Sequence, residues 1–294
     1  MNSFDKKASF HLPGLFKFPQ IYTALLQLYT QRRFMFKDNM EIGSIYGSPT
    51  AIWNGGRFVD DIFLNHAQLS QVKQAMEFYN IPARFTFTNC LLEEKHVHDA
   101  YCNEILKIFN TGNNEIICNS EVLENYIRKE YGDRYKYISS TTKRITDKEQ
   151  QKIEVDKNYY LVVLDYDFNK DIEYLQSIPH KEKCELLVNP VCKAKCPFRT
   201  EHYRAISEAQ LEFNVAKMMQ CKFVGRDALW QSMKEGNFIS VEDINNIYLP
   251  MGFTNFKLEG RKAHPLDLIE VLVYYLAKDE YRDELRSYLQ ESVW

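Results

Sequence analysis

Eight strand-like runs recur along this chain, most of them followed by a stretch with helical spacing, and that alternation restricts the fold more than any single motif. The runs cover residues 9–14, 41–47, 83–88, 115–118, 135–139, 159–164, 184–188 and 253–258. Tyr159-Tyr160-Leu161-Val162-Val163-Leu164 is apolar at nearly every position, as a parallel strand covered on both faces requires. Between the runs, Val72, Ala75, Met76 and Tyr79 share one face of a helix expected over 69–79, and Leu266, Ile269, Leu272, Val273 and Leu276 form a stripe over 265–277. Further helices are expected over 19–29, 94–109, 121–129, 172–178 and 208–219, with a polar one after Asp147. The chain has 294 residues and no low-complexity linker, and an α/β barrel commonly needs ~250. The expected fold is therefore α/β, a single (β/α)8 TIM-type barrel domain spanning 1–294 with room for distortion, and a doubly wound open sheet is the alternative. No G-x-G-x-x-G follows the first strand, so a dinucleotide fingerprint has no support.

The formal net charge is -3, so no chain-wide basic field exists to hold nucleic acid. A local basic patch is compatible with that total. No run of ~18 apolar residues is present, and the polar segment Met1 to Lys7 lacks the apolar core of a secretion signal. The expectation is a cytoplasmic protein without a membrane span. The 7 cysteines are neither dense nor evenly spaced, which argues against a disulfide scaffold.

Two of those thiols, Cys192 and Cys196, sit in a lysine-bearing turn directly after the seventh run, and Cys221 follows a segment of helical character. Soft thiolates at this spacing select zinc or an iron–sulfur cluster over hard cations. Lys193 and Lys195 mark an exposed turn whose positive charge favours the metal-binding thiolate. Cys102 and Cys118, inside a helix and a strand, read as small core hydrophobes.

In a barrel the chemistry gathers where strands end. Arg199, His202 and Arg204 follow the thiol turn, and Lys257 and Arg261 leave the last strand, so a cationic pocket for a carboxylate or phosphate can form at that rim. Lys257 alternates with Phe256 and Leu258 and is expected to point inward. Asn89 and Ser140 would add neutral hydrogen bonds. Asp165 is a candidate general base, with helix capping as the other role for such a residue. No serine nucleophile elbow and no H-E-x-x-H helix is present.

An ordered series of these segments resembles peptidase family U-32, the collagenase-like peptidases. It comprises Leu12-Pro13-Gly14, Arg84-Phe85-Thr86-Phe87-Thr88-Asn89, Ile138-Ser139-Ser140-Thr141 and Val162-Val163-Leu164. Its sharpest part is Gly252-Phe253-Thr254-Asn255-Phe256-Lys257-Leu258-Glu259-Gly260-Arg261, similar to the family's closing glycine, lysine-bearing strand and Glu-Gly-Arg. The resemblance implies a TIM-type barrel holding an oxygen-sensitive [4Fe-4S] cluster through four cysteines. It also implies oxygen-independent hydroxylation of an RNA base or a quinone precursor, with a prephenate-like anion as co-substrate, and a related chain as partner. Other members carry the peptidase label, so a hydrolase is the alternative, as is a non-catalytic cluster-bearing subunit. Cys192, Cys196 and Cys221 would be three ligands; Cys90, directly after the third run, is preferred as the fourth, with His202 the competitor and an open three-cysteine site a further option. Zinc is the alternative metal. The chain departs from the family in its compressed thiol region and in Val188-Asn189 where His-Gly is usual.

Overall fold

The computed structural model describes residues 6–221 and 229–293. Its strands are β1 (Ala8–Pro13), β2 (Met40–Gly47), β3 (Ala83–Phe87), β4 (Glu115–Cys118), β5 (Lys136–Ser139), β6 (Leu161–Val163), β7 (Cys184–Leu187) and β8 (Asn255–Lys257). They pair in sequence order, all parallel, and β1 closes on β8 through Ser9 beside Asn255 and His11 beside Lys257. The structure is therefore the closed (β/α)8 barrel expected, not the open sheet. A register shift between Phe10 and His11 bends β1 where the barrel closes.

Helices α1 (Pro19–Gln31), α2 (His66–Phe78), α3 (Ala100–Ile108), α4 (Glu121–Tyr131), α5 (Lys148–Asp156), α6 (Ile172–Ser177) and α7 (Arg199–Glu212) separate the strands, and the helix Pro265–Leu276 follows β8. Local chemistry sets their starts. Pro19 occupies the first turn of α1, where its missing N–H costs nothing. Asn65, Asp99, Ser120, Asp147 and Asp171 each accept a backbone N–H of the helix they precede; such a cap contributes about 1 kcal/mol.

Two helices differ from the sequence expectation. The stretch 94–109 is a single turn at Glu94–His96 and then α3, because the Asp99 carboxylate caps Cys102 N–H and starts a new helix. The helix expected over 208–219 is instead α7, which begins at Arg199 and stops where Phe213 turns left-handed at φ 49°. Its charged sequence reads as a solvated loop, yet Arg199, Tyr203, Ser207 and Gln210 are buried. α7 therefore starts directly out of the thiol turn.

The large core lies between strands and helices, where Phe10, Phe85, Phe87 and Phe256 pack outward from their strands. Inside the barrel the strands alternate. On one side Ile117, Ile138, Leu161 and Val163 form an aliphatic plug, the ordinary filling of such a cylinder. The rest of the interior is charged: Arg84 from β3 reaches Glu115 on β4, Glu185 on β7 and His11 on β1.

Candidate functional site

Because side chains alternate along a strand, the inward residues one step beyond this charged layer line the carboxyl mouth. Tyr46 stands above Ser44, Thr86 and Thr88 above Arg84, Leu187 above Glu185, and Lys257 above Asn255. Together with Ser140, Tyr166, Tyr203 and Arg261 they enclose a pocket. Residues Gly55 and Gly56 let a loop fold across it. A Cβ on Gly55 would stand 2.2 Å from the Thr88 carbonyl oxygen, and Gly56 has φ +71° with Arg261 packed beneath it. That loop brings in Arg57, which pairs with Glu259.

The charged layer beneath is closed to a ligand. Arg84, with 0% exposure, donates to Glu115 at 2.5 Å and to Glu185. It also donates to His11 Nδ1 at 2.8 Å, which Ser44 Oγ meets at 2.9 Å. With Nδ1 accepting, the imidazole is neutral and its proton lies on Nε2, 3.2 Å from Asn255 Oδ1. Burial and Arg84 hold the His11 pKa down to about 3. Burial alone would raise the Glu185 carboxyl, but Arg84, His11 and Lys257 together lower it to about 2.

The pocket's own cations are differently placed. Arg261 donates to Thr86 Oγ1 at 2.9 Å and the Gly55 carbonyl at 3.3 Å, both neutral acceptors. Burial weakens its charge, opposed by Tyr46 and reinforced by Arg57. Lys257 Nζ lies 4.3 Å from the Tyr46 ring centroid, a cation–π distance. The nearest carboxylate oxygen, Glu185 Oε1, is 3.7 Å away, beyond hydrogen-bond length. Thr88 Oγ1 and Thr141 Oγ1 are buried without a hydrogen-bond partner among the described residues. The pocket thus offers two cations and several hydroxyls, which suits a small anion with more than one oxygen.

Of the residues singled out from sequence, Lys257, Arg261 and Ser140 meet in this pocket. The others serve the walls. Arg199 makes a bidentate contact with Asp167 at 2.9 and 3.0 Å, donates to the Lys193 carbonyl at 2.8 Å and stacks on Tyr166. It thereby fastens the thiol turn to the end of β6. Asp165 pairs with Arg144 and accepts from Asp167 N–H, so its lone pairs are engaged in capping. Asn89 donates to the carbonyls of Ile52 and Ser207 and accepts from Leu91 N–H, tying three loops together. Sequence reading did not single out Tyr46, Arg57, Thr86, Tyr166 or Tyr203. Paired glycines followed by an arginine were the available signal for Arg57.

The thiols are brought together only in part. Cys192 and Cys196 are in side-chain contact, and burial pushes the Cys196 thiol up despite the Phe198 N–H and Arg199 nearby. The lysines of the turn do not reverse that effect, because a desolvated thiolate costs more than distant surface charge returns. The Cys90 sulfur lies on Ser207 Oγ at 3.3 Å, on α7. His202 Nε2 bonds the Met219 carbonyl at 2.9 Å. Among the described residues no group of three or more His, Cys, Asp or Glu stands close enough to hold a metal ion. The donor chemistry of the Cys192–Cys196 pair fits a thiolate-bound metal, while the full ligand set is not assembled in this arrangement. Tyr166 and Tyr203, hydroxyls 3.1 Å apart, form the wall between this pair and the pocket, and Cys192 influences both electrostatically.

No family model matches the chain. A solved structure entitled "The Structure of the U32 Peptidase Mk0906" superposes with a TM-score of 0.53 at 12% identity, covering 90% of this chain and 97% of that one. The fold is that of a U-32 peptidase. The resemblance read from Leu12-Pro13-Gly14 through Glu259-Gly260-Arg261 is borne out at that level. The chain also aligns over 143 residues, at 25% identity, with the "Uncharacterized protease MJ1657" of Methanocaldococcus jannaschii, over 46% of its length. It spans 41% of that curated relative's length. Among the described residues no helix is long and apolar enough to cross a membrane.

Proposed function

We propose that the carboxyl mouth of the barrel is the active site of an enzyme acting on a small, carboxylate-bearing molecule. The observation that carries this reading is Arg261, a half-buried guanidinium lining the pocket whose hydrogen bonds go to a threonine hydroxyl and a backbone carbonyl. A guanidinium in that position gains most from a carboxylate presented edge-on. Lys257 on the pocket floor would face the same anion and move or hold a proton at Nζ, while Ser140 and the unpartnered hydroxyls of Thr88 and Thr141 orient its remaining oxygens.

Within that reading, oxygen-independent hydroxylation of an RNA base or quinone precursor is the finer activity the family resemblance implies, with a prephenate-like acid as the anion and a related chain as partner. A [4Fe-4S] cluster bound at Cys192 and Cys196, with Cys221 and Cys90 completing the set, would supply electron transfer or Lewis acidity behind the Tyr166–Tyr203 wall. The peptidase or hydrolase alternative is favoured by the names of both similar proteins.

Anaerobic purification with iron, sulfide and zinc analysis separates these finer readings. About four irons per chain support the cluster, and stoichiometric zinc rejects it. Metal-free protein that cleaves peptides in air, unaffected by Cys192→Ser, supports the hydrolase. The pocket itself is tested by calorimetric titration with malonate: binding that is lost in Arg261→Gln supports the site, and equal binding by both proteins refutes it.

A further inference from the structure

We propose that Lys257 is a carbonyl-binding amine, forming an imine with a small 2-oxo acid whose carboxylate is held by Arg261. This rests on the reading of Arg261 as an anion anchor and adds a covalent step at the neighbouring residue.

Geometry comes first. Lys257 is the last residue of β8 and is only 8% exposed, yet it lines the pocket that Arg261 also lines. Contrast Lys143, whose ammonium is fixed by Glu154 at 2.7 Å and Tyr159 Oη at 2.9 Å. Lys257 has its closest carboxylate oxygen at 3.7 Å, and the other oxygen of that carboxylate is taken by Arg84. Glu185 Oε1 correspondingly has no hydrogen-bond partner within ordinary distance among the described residues. The amine packs against the Tyr46 ring, and its ion pair with Glu185 is long, at 3.7 Å, with that carboxylate shared with Arg84.

The groups around it come from every neighbouring strand: His11 on β1, Tyr46 on β2, Arg84 on β3, Glu185 on β7 and Arg261 beyond β8. His11 is neutral, Tyr46 donates a hydrogen bond to the Leu258 carbonyl at 2.5 Å, Glu185 is shared with Arg84, and Glu259, which lines the same pocket, is paired with Arg57. Burial, helped by Arg84 and Arg261 and opposed by Glu185, brings the Lys257 pKa to about 7. A sizeable fraction is therefore the free, nucleophilic amine at neutral pH, the state an imine-forming lysine needs.

The step balances without a redox partner. The Nζ lone pair attacks the ketone carbon, forming a C–N bond, the carbonyl π electrons move to oxygen, and one proton passes from the nitrogen to that oxygen to give a neutral carbinolamine. Its hydroxyl then takes a proton from solvent and leaves as water while the nitrogen lone pair closes the C=N bond, and the resulting iminium N–H returns that proton to give the imine. Thr88 and Thr141 supply otherwise unused hydroxyls to the oxygen that changes charge.

The test uses the full chain, pyruvate and sodium cyanoborohydride, which delivers hydride to the imine carbon and fixes it as a secondary amine, followed by peptide mapping. The expected result is a carboxyethyl adduct concentrated on the peptide carrying Lys257, formed at least about tenfold faster than on surface lysines because their amines stay protonated to higher pH. Arg261→Gln should slow labelling by pyruvate by about tenfold, the value of one charge-assisted contact, and slow labelling by propionaldehyde, which lacks the carboxylate, much less. Adducts spread over surface lysines, with Lys257 unmodified in wild-type protein, overturn the inference. If malonate binding remains Arg261-dependent in that case, the anion site stands and only the imine falls; if it does not, both fall. Mapping the wild type keeps the test decisive even where Lys257→Met does not fold.

Discussion

Arg84 and Arg261 are two guanidiniums within the same barrel, one strand layer apart, and their surroundings are opposite. Arg84 is saturated by Glu115, Glu185 and His11, whereas among the described residues Arg261 bonds neutral oxygens, of Thr86 and Gly55. A buried charge with a complete set of partners is part of the scaffold. One left short of a counter-charge pays desolvation without return, and folds retain such a group where a ligand completes it. Arg199 belongs with Arg84 in this respect, since Asp167 and the Lys193 carbonyl use its fork.

The largest test of the contrast is Arg84→Leu. It strands two buried carboxylates, and the expected loss is about 3–5 kcal/mol of unfolding free energy in urea titrations; a loss below about 1 kcal/mol would erase the distinction. Next comes acid. The folded pKa of His11 is about 3 against an ordinary 6.5, and that of Glu185 about 2 against 4.5. In both windows the unfolded chain binds more protons, so the contributions of these two groups are complete above pH 6.5, and are lost as pH falls, that of His11 between 6.5 and about 3 and that of Glu185 between 4.5 and about 2. Calorimetric Tm values should fall across that range, and His11→Gln should flatten the slope between pH 6.5 and 4.5, where Glu185 does not yet contribute, and reduce it less below that. A Tm unchanged down to pH 4 contradicts the assignment.

Arg261→Gln sharpens the comparison from the other side. Malonate affinity should drop at least about tenfold, since hydrogen bonds to charged groups contribute ~1.5–3 kcal/mol, while unfolding free energy changes by less than about 1 kcal/mol or rises. Stability loss equal to that of Arg84→Leu would make Arg261 a scaffold residue too. The smallest effect sets the background: Lys73→Ala removes a helix-surface pair with Glu77 at 3.1 Å and should cost about 0.3–0.5 kcal/mol by the same titration.

The strands were legible because parallel strands covered on both faces leave dense apolar runs, as at Leu161-Val162-Val163. α7 was not legible, because its buried face is built from Arg199, Tyr203, Ser207 and Gln210, residues that ordinarily mark solvent. Lys257 could be assigned inward from simple alternation with Phe256. Arg199 reads from sequence as a ligand-binding cation beside it, yet its neighbours in the fold are Asp167 and Tyr166, brought in by the end of β6 from 32 and 33 positions earlier in the chain. Nothing in the local sequence encodes that pairing.

Periodicity alone determined the eightfold alternation of strand and helix and the inward direction of Lys257, since inside and outside along a strand follow from the two-residue repeat of the backbone, while closure of β1 on β8 selected the barrel over the open sheet. Which of the charges on that rim are neutralised was decided only when distant strands closed into a cylinder. Counter-charges act through space over a few ångströms, and in this chain they arrive from β3, β4, β6 and β7, so the difference between a fastened arginine and a waiting one exists only in the folded molecule.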